Sequence, residues 1–289
     1  MKKDRLKLAI QKNGRLTDET LSLLKKCSFN IDHYKERLMV SVQNFPLEIL
    51  FLRDDDIPEY VQDGVADLGI VGENIVYEKR ADVETIAQLG YGKCSLGIGV
   101  PENEELKNIS ELNGKTIATT YPNLLSDFLN QNGIKSKIIQ ISGSVEIAPN
   151  LGVSDFICDL ISTGNTLKMN KLKKSFSVMD SQAVLIKNKK LTENKNKEEN
   201  YTLFFRRIMS ALNAKNSKYI MMNIPKKSLD TIIEIIPSLK SPTILSLADE
   251  TMLAIHAVIP SDTFWEIENE LKKAGASGIL LLPIENIIL

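Results

Sequence analysis

The stretch Glu146-Ile-Ala-Pro-Asn-Leu-Gly-Val-Ser-Asp155-Phe-Ile-Cys-Asp159-Leu-Ile-Ser-Thr163-Gly-Asn-Thr-Leu167 decides the reading of this chain. From Asp155 to Ile161 it alternates: Phe156, Cys158 and Leu160 share one face, and Asp155, Ile157, Asp159 and Ile161 the other. Both faces carry apolar residues, the pattern of a strand buried in an α/β sheet. Ser162, Thr163, Gly164, Asn165 and Thr166 follow, a tight turn rich in small hydroxyl residues that opens a helix. Amide N–H dipoles and hydroxyls converging there suit an anion. Asp159, at the strand end, then stands where the diol of a phosphorylated ribose would lie. The pentapeptide alone also fits an ordinary strand-to-helix turn capped by Thr166.

Outward from this stretch, the 289 residues hold 36 basic against 37 acidic side chains. Such balance offers no extended basic surface for nucleic acid, whereas a phosphorylated small molecule needs only a local cluster. Cys27, Cys94 and Cys158 are odd in number and far apart, as in a protein with reduced thiols. With only His33 and His256 and no Cys-x-x-Cys, a transition-metal site is not expected. Met1-Lys2-Lys3-Asp4-Arg5 runs straight into a strand-like segment with no long apolar run, so a cytoplasmic location and no membrane partner are expected.

Upstream, Leu6 to Ile10 reads as a strand, and a helix follows with Thr17 as its cap. Lys12 and Arg15 flank Gly14 in the intervening loop, a second place suited to a pyrophosphate or triphosphate. Leu38 to Val42 and Leu47 to Leu52 read as strands. Arg53, after the second, presents a planar fork of donors to phosphate or base. Asp54-Asp55-Asp56 before Pro58 are good chemistry for a helix start. Val83–Leu89, Cys94–Val100, Thr116–Thr119, Lys137–Ile141 and Ser177–Ile186 complete the strand pattern. Thr119 to Asn123 and Ser142 to Glu146 lie at strand carboxyl ends, where open α/β sheets bind ligands.

Two lobes follow: residues 1–98 with 178–190, and 99–177, with a cleft between them. Lys187 to Asn200 is almost wholly polar and reads as an exposed connection to a unit over 191–289. After a leading helix, that unit runs βαββαβ, the ferredoxin-like order.

Taken together, Glu146, Gly152, Ser154, Ile157, Asp159, Thr163, Gly164, Thr166 and Leu167 resemble the signature of ATP phosphoribosyltransferases. So do Lys7 to Leu16, Asp54 to Pro58, Asp67 to Ile70, Ala118 to Asn123, Gly143 to Glu146 and the closing Gly275 to Glu285, and the resemblance spans essentially the whole chain. The long form of that family implies a two-lobed catalytic part like that of periplasmic binding proteins, with a C-terminal ferredoxin-like (ACT-like) regulatory domain. Its reaction moves the phosphoribosyl group from phosphoribosyl diphosphate to N1 of ATP, releasing pyrophosphate, as the first step of histidine biosynthesis. By the resemblance, Asp159, Ser162, Thr163, Gly164, Asn165 and Thr166 hold phosphoribosyl diphosphate, and Lys12, Arg15 and Arg53 hold ATP and pyrophosphate. Asn223, Leu239, Ser241 and Thr243 fall where the family binds histidine as feedback inhibitor. Mg²⁺ carried mainly by the substrate phosphates, AMP as a further ligand, and dimers and hexamers of the chain are also implied. An exported solute-binding protein would share the lobes but needs a leader. An amino-acid sensor would account for the C-terminal unit alone.

Overall fold

The computed structural model describes residues 5–31, 37–161 and 164–288. The chain forms two compact units: one runs to Asn200, and the other comprises Leu23–Ser28 with the chain from Tyr201 onward.

The first unit opens with β1 (Leu6–Gln11), α1 (Arg15–Lys26, whose residues from Leu23 on belong to the other unit), β2 (Met39–Ser41), β3 (Leu47–Leu52), α2 (Ile57–Gln62), β4 (Leu68–Gly72), α3 (Glu73–Lys79) and β5 (Glu84–Gln88). β1 lies parallel to β3 and β4, and Leu6, Leu8, Ala9 and Ile10 are all fully buried. A continuous apolar run is what a parallel strand covered on both faces requires. Next come β6 (Cys94–Pro101), β7 (Thr116–Thr119), α4 (Pro122–Gln131), β8 (Lys137–Gln140), β9 (Phe156–Ile161), α5 (Asn165–Met169) and β10 (Leu172–Ser181). These strands make a second sheet in the order β10-β6-β9-β7-β8. β11 (Ala183–Lys187) returns to the first, whose order is β2-β3-β1-β4-β11-β5. The result is the two-lobed plan of periplasmic binding proteins.

The lobe boundaries differ from those expected at 98/99 and 177/178, because β6 and β10 both lie whole in the second sheet. Glycine explains β6. A Cβ on Gly99 would stand 2.8 Å from Ile157 Cγ1, and one on Gly97 3.1 Å from Ile161 Cδ1 and from the Phe176 carbonyl. One face of β6 is bare so that β9 side chains can cross it, while Leu96, Ile98 and Val100 fill the core on the other.

The polar run 187–200 also departs from expectation, since α6 (Lys195–Lys215) begins inside it. Asn194 Oδ1 accepts the N–H groups of Asn196 (3.1 Å) and Lys197 (3.3 Å), and Lys197 Nζ reaches Asp67 Oδ1 at 2.7 Å. Capping chemistry thus starts a helix where composition suggests a connection.

In the second unit β12 (Ser217–Pro225), α7 (Leu229–Ile235), β13 (Thr243–Ser246), β14 (Met252–Pro260), α8 (Phe264–Lys273) and β15 (Ser277–Pro283) give an antiparallel sheet in the order β13-β14-β12-β15. This is the expected ferredoxin-like arrangement. Ile220, Met222, Ile224 and Ile255 form its core with Phe264 and Leu271 of α8.

Candidate functional site

β9 carries the two faces read from its alternation. Phe156 and Cys158 pack with Leu96, Ile98 and Ile117, whereas Ile157 packs with Ala118, Val145 and Leu167. Residues 156–158 are fully buried and Asp159, Leu160 and Ile161 partly exposed, so the strand emerges from the core at its carboxyl end. Burial raises the Asp159 carboxyl above the usual carboxylate range. The Leu160 N–H, donated to Oδ1 at 2.8 Å, opposes the shift, and the negative charge of Glu146 adds to it. Ser162 and Thr163 lie outside the described residues.

Gly164, at φ 75° and ψ 0°, is the N-cap of α5, the position that the ordinary-turn alternative gives to Thr166. A left-handed cap favours glycine over any residue bearing a Cβ, which moves the helix start upstream of the threonine. A Cβ at Gly164 would meet nothing within 4 Å, so conformation and not crowding selects the residue. Asn165 and Thr166 are exposed. The opening N–H groups of α5 have no partner within their own helix by position.

Across the molecule, β1 and β3 end in register, Gln11 opposite Leu52, and the Lys12 N–H donates to the Leu52 carbonyl at 2.8 Å. Lys12 and Arg53 therefore leave the first sheet side by side, both exposed. α1 begins at Arg15, two residues before the expected cap. Thr17 is instead buried and its hydroxyl donates to the Gln11 carbonyl at 2.9 Å, pinning the helix to the strand end. Arg15 lies near enough to Cys94 for its charge to pull the thiol pKa down, against the larger upward effect of burial.

Cys94 lines a cavity of about 790 Å³ that also takes in Gly164, Lys93, Lys174 and Glu73. Lys174 Nζ donates to Ser95 Oγ at 2.9 Å on its wall. Tyr121 joins both lobes: it packs against the cores of each, and its phenol is raised above its ordinary pKa by burial, then by the charges of Asp159, Asp54 and Asp55. The structure thus brings Gly164 and Cys94 onto one cavity, with the charge of Arg15 acting on Cys94. Tyr121 lies in the strand-end stretch 119–123 read from the sequence, whereas Lys93 and Lys174 escaped that reading because each comes from a separate segment. Lys174 lies over Gly97 of β6, where an added Cβ would stand 3.1 Å from its Cε, a neighbour that sequence order does not reveal. Among the described residues, no group of three or more His, Cys, Asp or Glu could hold a metal ion.

In the second unit Asn223 pairs with Ala254, and Thr243 with His256. Because Ile220, Met222 and Ile224 point into the core, Asn223 and Thr243 share the opposite face of the sheet, with β14 between them. Leu239 donates its N–H to the Val258 carbonyl at 3.0 Å, and Leu239 and Ser241 are exposed on the segment leading into β13.

Residues 53–212 match the family model described as ATP phosphoribosyltransferase, and residues 214–286 the one described as HisG, C-terminal domain. The ATP phosphoribosyltransferase of Cytophaga hutchinsonii is 48% identical over 283 residues, covering 98% of both chains. That of Phocaeicola vulgatus is 47% identical over 284 residues, 98% of this chain and 100% of the relative. Among solved structures, the ATP phosphoribosyl transferase (HisG:HisZ) complex from Thermotoga maritima aligns with a TM-score of 0.61 at 27% identity, over 71% of this chain and 96% of its own. A fold of two lobes plus a ferredoxin-like unit, a full-length likeness and both family models agree: the chain belongs to the ATP phosphoribosyltransferase family, whose members open histidine biosynthesis.

Proposed function

We propose that the β9–α5 turn, Asp159 with Ser162, Thr163, Gly164, Asn165 and Thr166, holds phosphoribosyl diphosphate, while Lys12, Arg15 and Arg53 bind ATP and the departing pyrophosphate. The observation that carries this reading is the cavity that takes in Gly164 together with Cys94, the residue on which Arg15 acts. N1 of adenine already has a lone pair, so its attack on the anomeric carbon needs no strong base. Alignment then does most of the catalysis, a term that reaches about 7–11 kcal/mol in well-oriented reactions. Lys12, Arg15 and Arg53 offset charge growing on the leaving oxygens. The residues fit Mg²⁺, which coordinates substrate phosphates with one or two carboxylates and few other protein groups. Glu146 and Asp159 are the carboxylates at that edge, and the ion supplies charge neutralisation on the diphosphate. The 191–289 region takes histidine through Asn223, Leu239, Ser241 and Thr243, and the chain assembles as dimers and hexamers in the cytoplasm, with AMP as a further ligand.

Pyrophosphate release tests the placement. It is expected only with ATP, phosphoribosyl diphosphate and Mg²⁺ together, and Thr166→Ala should weaken phosphoribosyl diphosphate binding with the fold intact. Unchanged binding in that variant would remove the turn from the site.

A further inference from the structure

Glu78 is a charged residue on the buried stripe of α3, 9% exposed, in a helix whose Asn74, Ile75 and Val76 are also buried. Its carboxylate crosses to the other lobe. Oε1 accepts the Asn123 N–H at 3.0 Å and Oε2 the Leu124 N–H at 2.9 Å, while the Asn123 side-chain amide donates back to the Glu78 carbonyl at 2.9 Å. These N–H groups belong to the first turn of α4, where they have no partner within the helix and where the helix dipole favours a negative charge. Both carboxylate oxygens are thereby engaged in charge-assisted bonds.

One turn earlier on the same face, Asn74 is bolted to the chain's return crossing between lobes. Its N–H donates to Ser181 Oγ at 3.1 Å, and the Ser181 hydroxyl donates to Asn74 Oδ1 at 2.9 Å. Asn74 and Ser181 are 3% and 5% exposed. α3 therefore has two fixed points, at the crossing and at the start of α4. Both of its connections lead to the site. Glu73, its first residue, lines the cavity, and α4 follows directly from the carboxyl end of β7, whose neighbour β9 carries Asp159.

We propose that Glu78 is a positioning residue for the transfer: it fixes the angle between the lobes and so the approach of the ring nitrogen on one side to the anomeric carbon held on the other. This rests on the placement of the two substrates proposed above. Turning one lobe against the other would break two charge-assisted bonds and leave a carboxylate buried without partners, a costly state. The outer pair, Arg80 Nη2 to Asp127 Oδ1 at 2.9 Å, spans the same helices but is 59% and 49% exposed, so it fixes little.

The test compares Glu78→Gln, Glu78→Asp, Asn123→Ala and Asp127→Asn in the full chain, by steady-state pyrophosphate release, equilibrium binding of phosphoribosyl diphosphate, and melting temperature. Misalignment should lower kcat of Glu78→Gln on the order of 10–100-fold, while binding of phosphoribosyl diphosphate, whose sugar and terminal phosphate sit on one lobe, falls by far less. Glu78→Asp, which keeps the charge, should recover part of the loss, and Asp127→Asn should behave as the parent. Asn123→Ala removes only the return bond and should show a smaller fall in kcat, which keeps the idea testable if Glu78→Gln does not fold. A lowered melting temperature with kcat unchanged in Asn123→Ala and in every Glu78 variant that folds would make Glu78 a mere strut and overturn the proposal. Failure of Thr166→Ala to weaken phosphoribosyl diphosphate binding would instead overturn the site assignment, and is read separately.

Discussion

At the scale of single residues, the role proposed for Asp159 places two demands on its carboxyl. Accepting hydrogen bonds from a ribose diol calls for the ionised form, yet burial and the neighbouring Glu146 charge raise its pKa. A carboxyl whose folded pKa is raised contributes stability that is full below the unfolded pKa and lost as pH rises through the folded one. At neutral pH the ionised group therefore weighs against the fold. Asp159→Asn should melt no lower than the parent, and slightly higher at pH 7–8 than at pH 4 relative to it. The same change should cut kcat/KM for phosphoribosyl diphosphate by about 10–100-fold, the worth of roughly 1.5–3 kcal/mol for hydrogen bonds to a charged group. In the parent, the KM for phosphoribosyl diphosphate should rise as pH falls, starting above the ordinary aspartate range. Rate measurements against pH on both proteins check this, and the Asn variant should lack the acid limb.

Among elements, β9 and the turn into α5 organise the rest. Phe156 is fully buried between β6 and α4 neighbours, and Phe156→Ala should destabilise the first unit by about 3–5 kcal/mol in denaturant unfolding. Gly164→Ala meets no clash but must hold a left-handed backbone, which costs about 1–2 kcal/mol. It should therefore weaken sugar-phosphate binding more than it lowers the melting temperature. β9 was legible in the sequence because both its faces are apolar and its turn is contiguous. The start of α6 was not, because one asparagine side chain overrides the polar composition around it, and the membership of β6 was hidden in what glycines make room for. The same distinction divides the site. Asp159 to Thr166 lie in one run and could be read, whereas Lys174 and Glu78 gain meaning only from partners 40 or more positions away, Ser95 and Asn123.

For the whole molecule, the βαββαβ order foretold the third sheet, and its pairing puts Asn223 and Thr243 on the face turned away from the helices. If that face takes histidine, Ser241→Tyr should relieve inhibition by added histidine with turnover unchanged. A rate assay with and without the amino acid decides it, and retained inhibition would move the regulatory pocket elsewhere. On the placement proposed above, the catalytic unit should need no such ligand, because the residues assigned to substrate lie at strand ends of its own two sheets.

On the reading proposed above, the emerging end of β9 holds the activated sugar. A crystal structure with phosphoribosyl diphosphate and Mg²⁺ measures this directly. The terminal phosphate of the ribose is expected within hydrogen-bond distance of the Gly164 to Thr166 amides, with the Asp159 carboxylate against the vicinal hydroxyls. A sugar phosphate seated at the Lys12 and Arg53 edge, out of reach of Asp159, would contradict it.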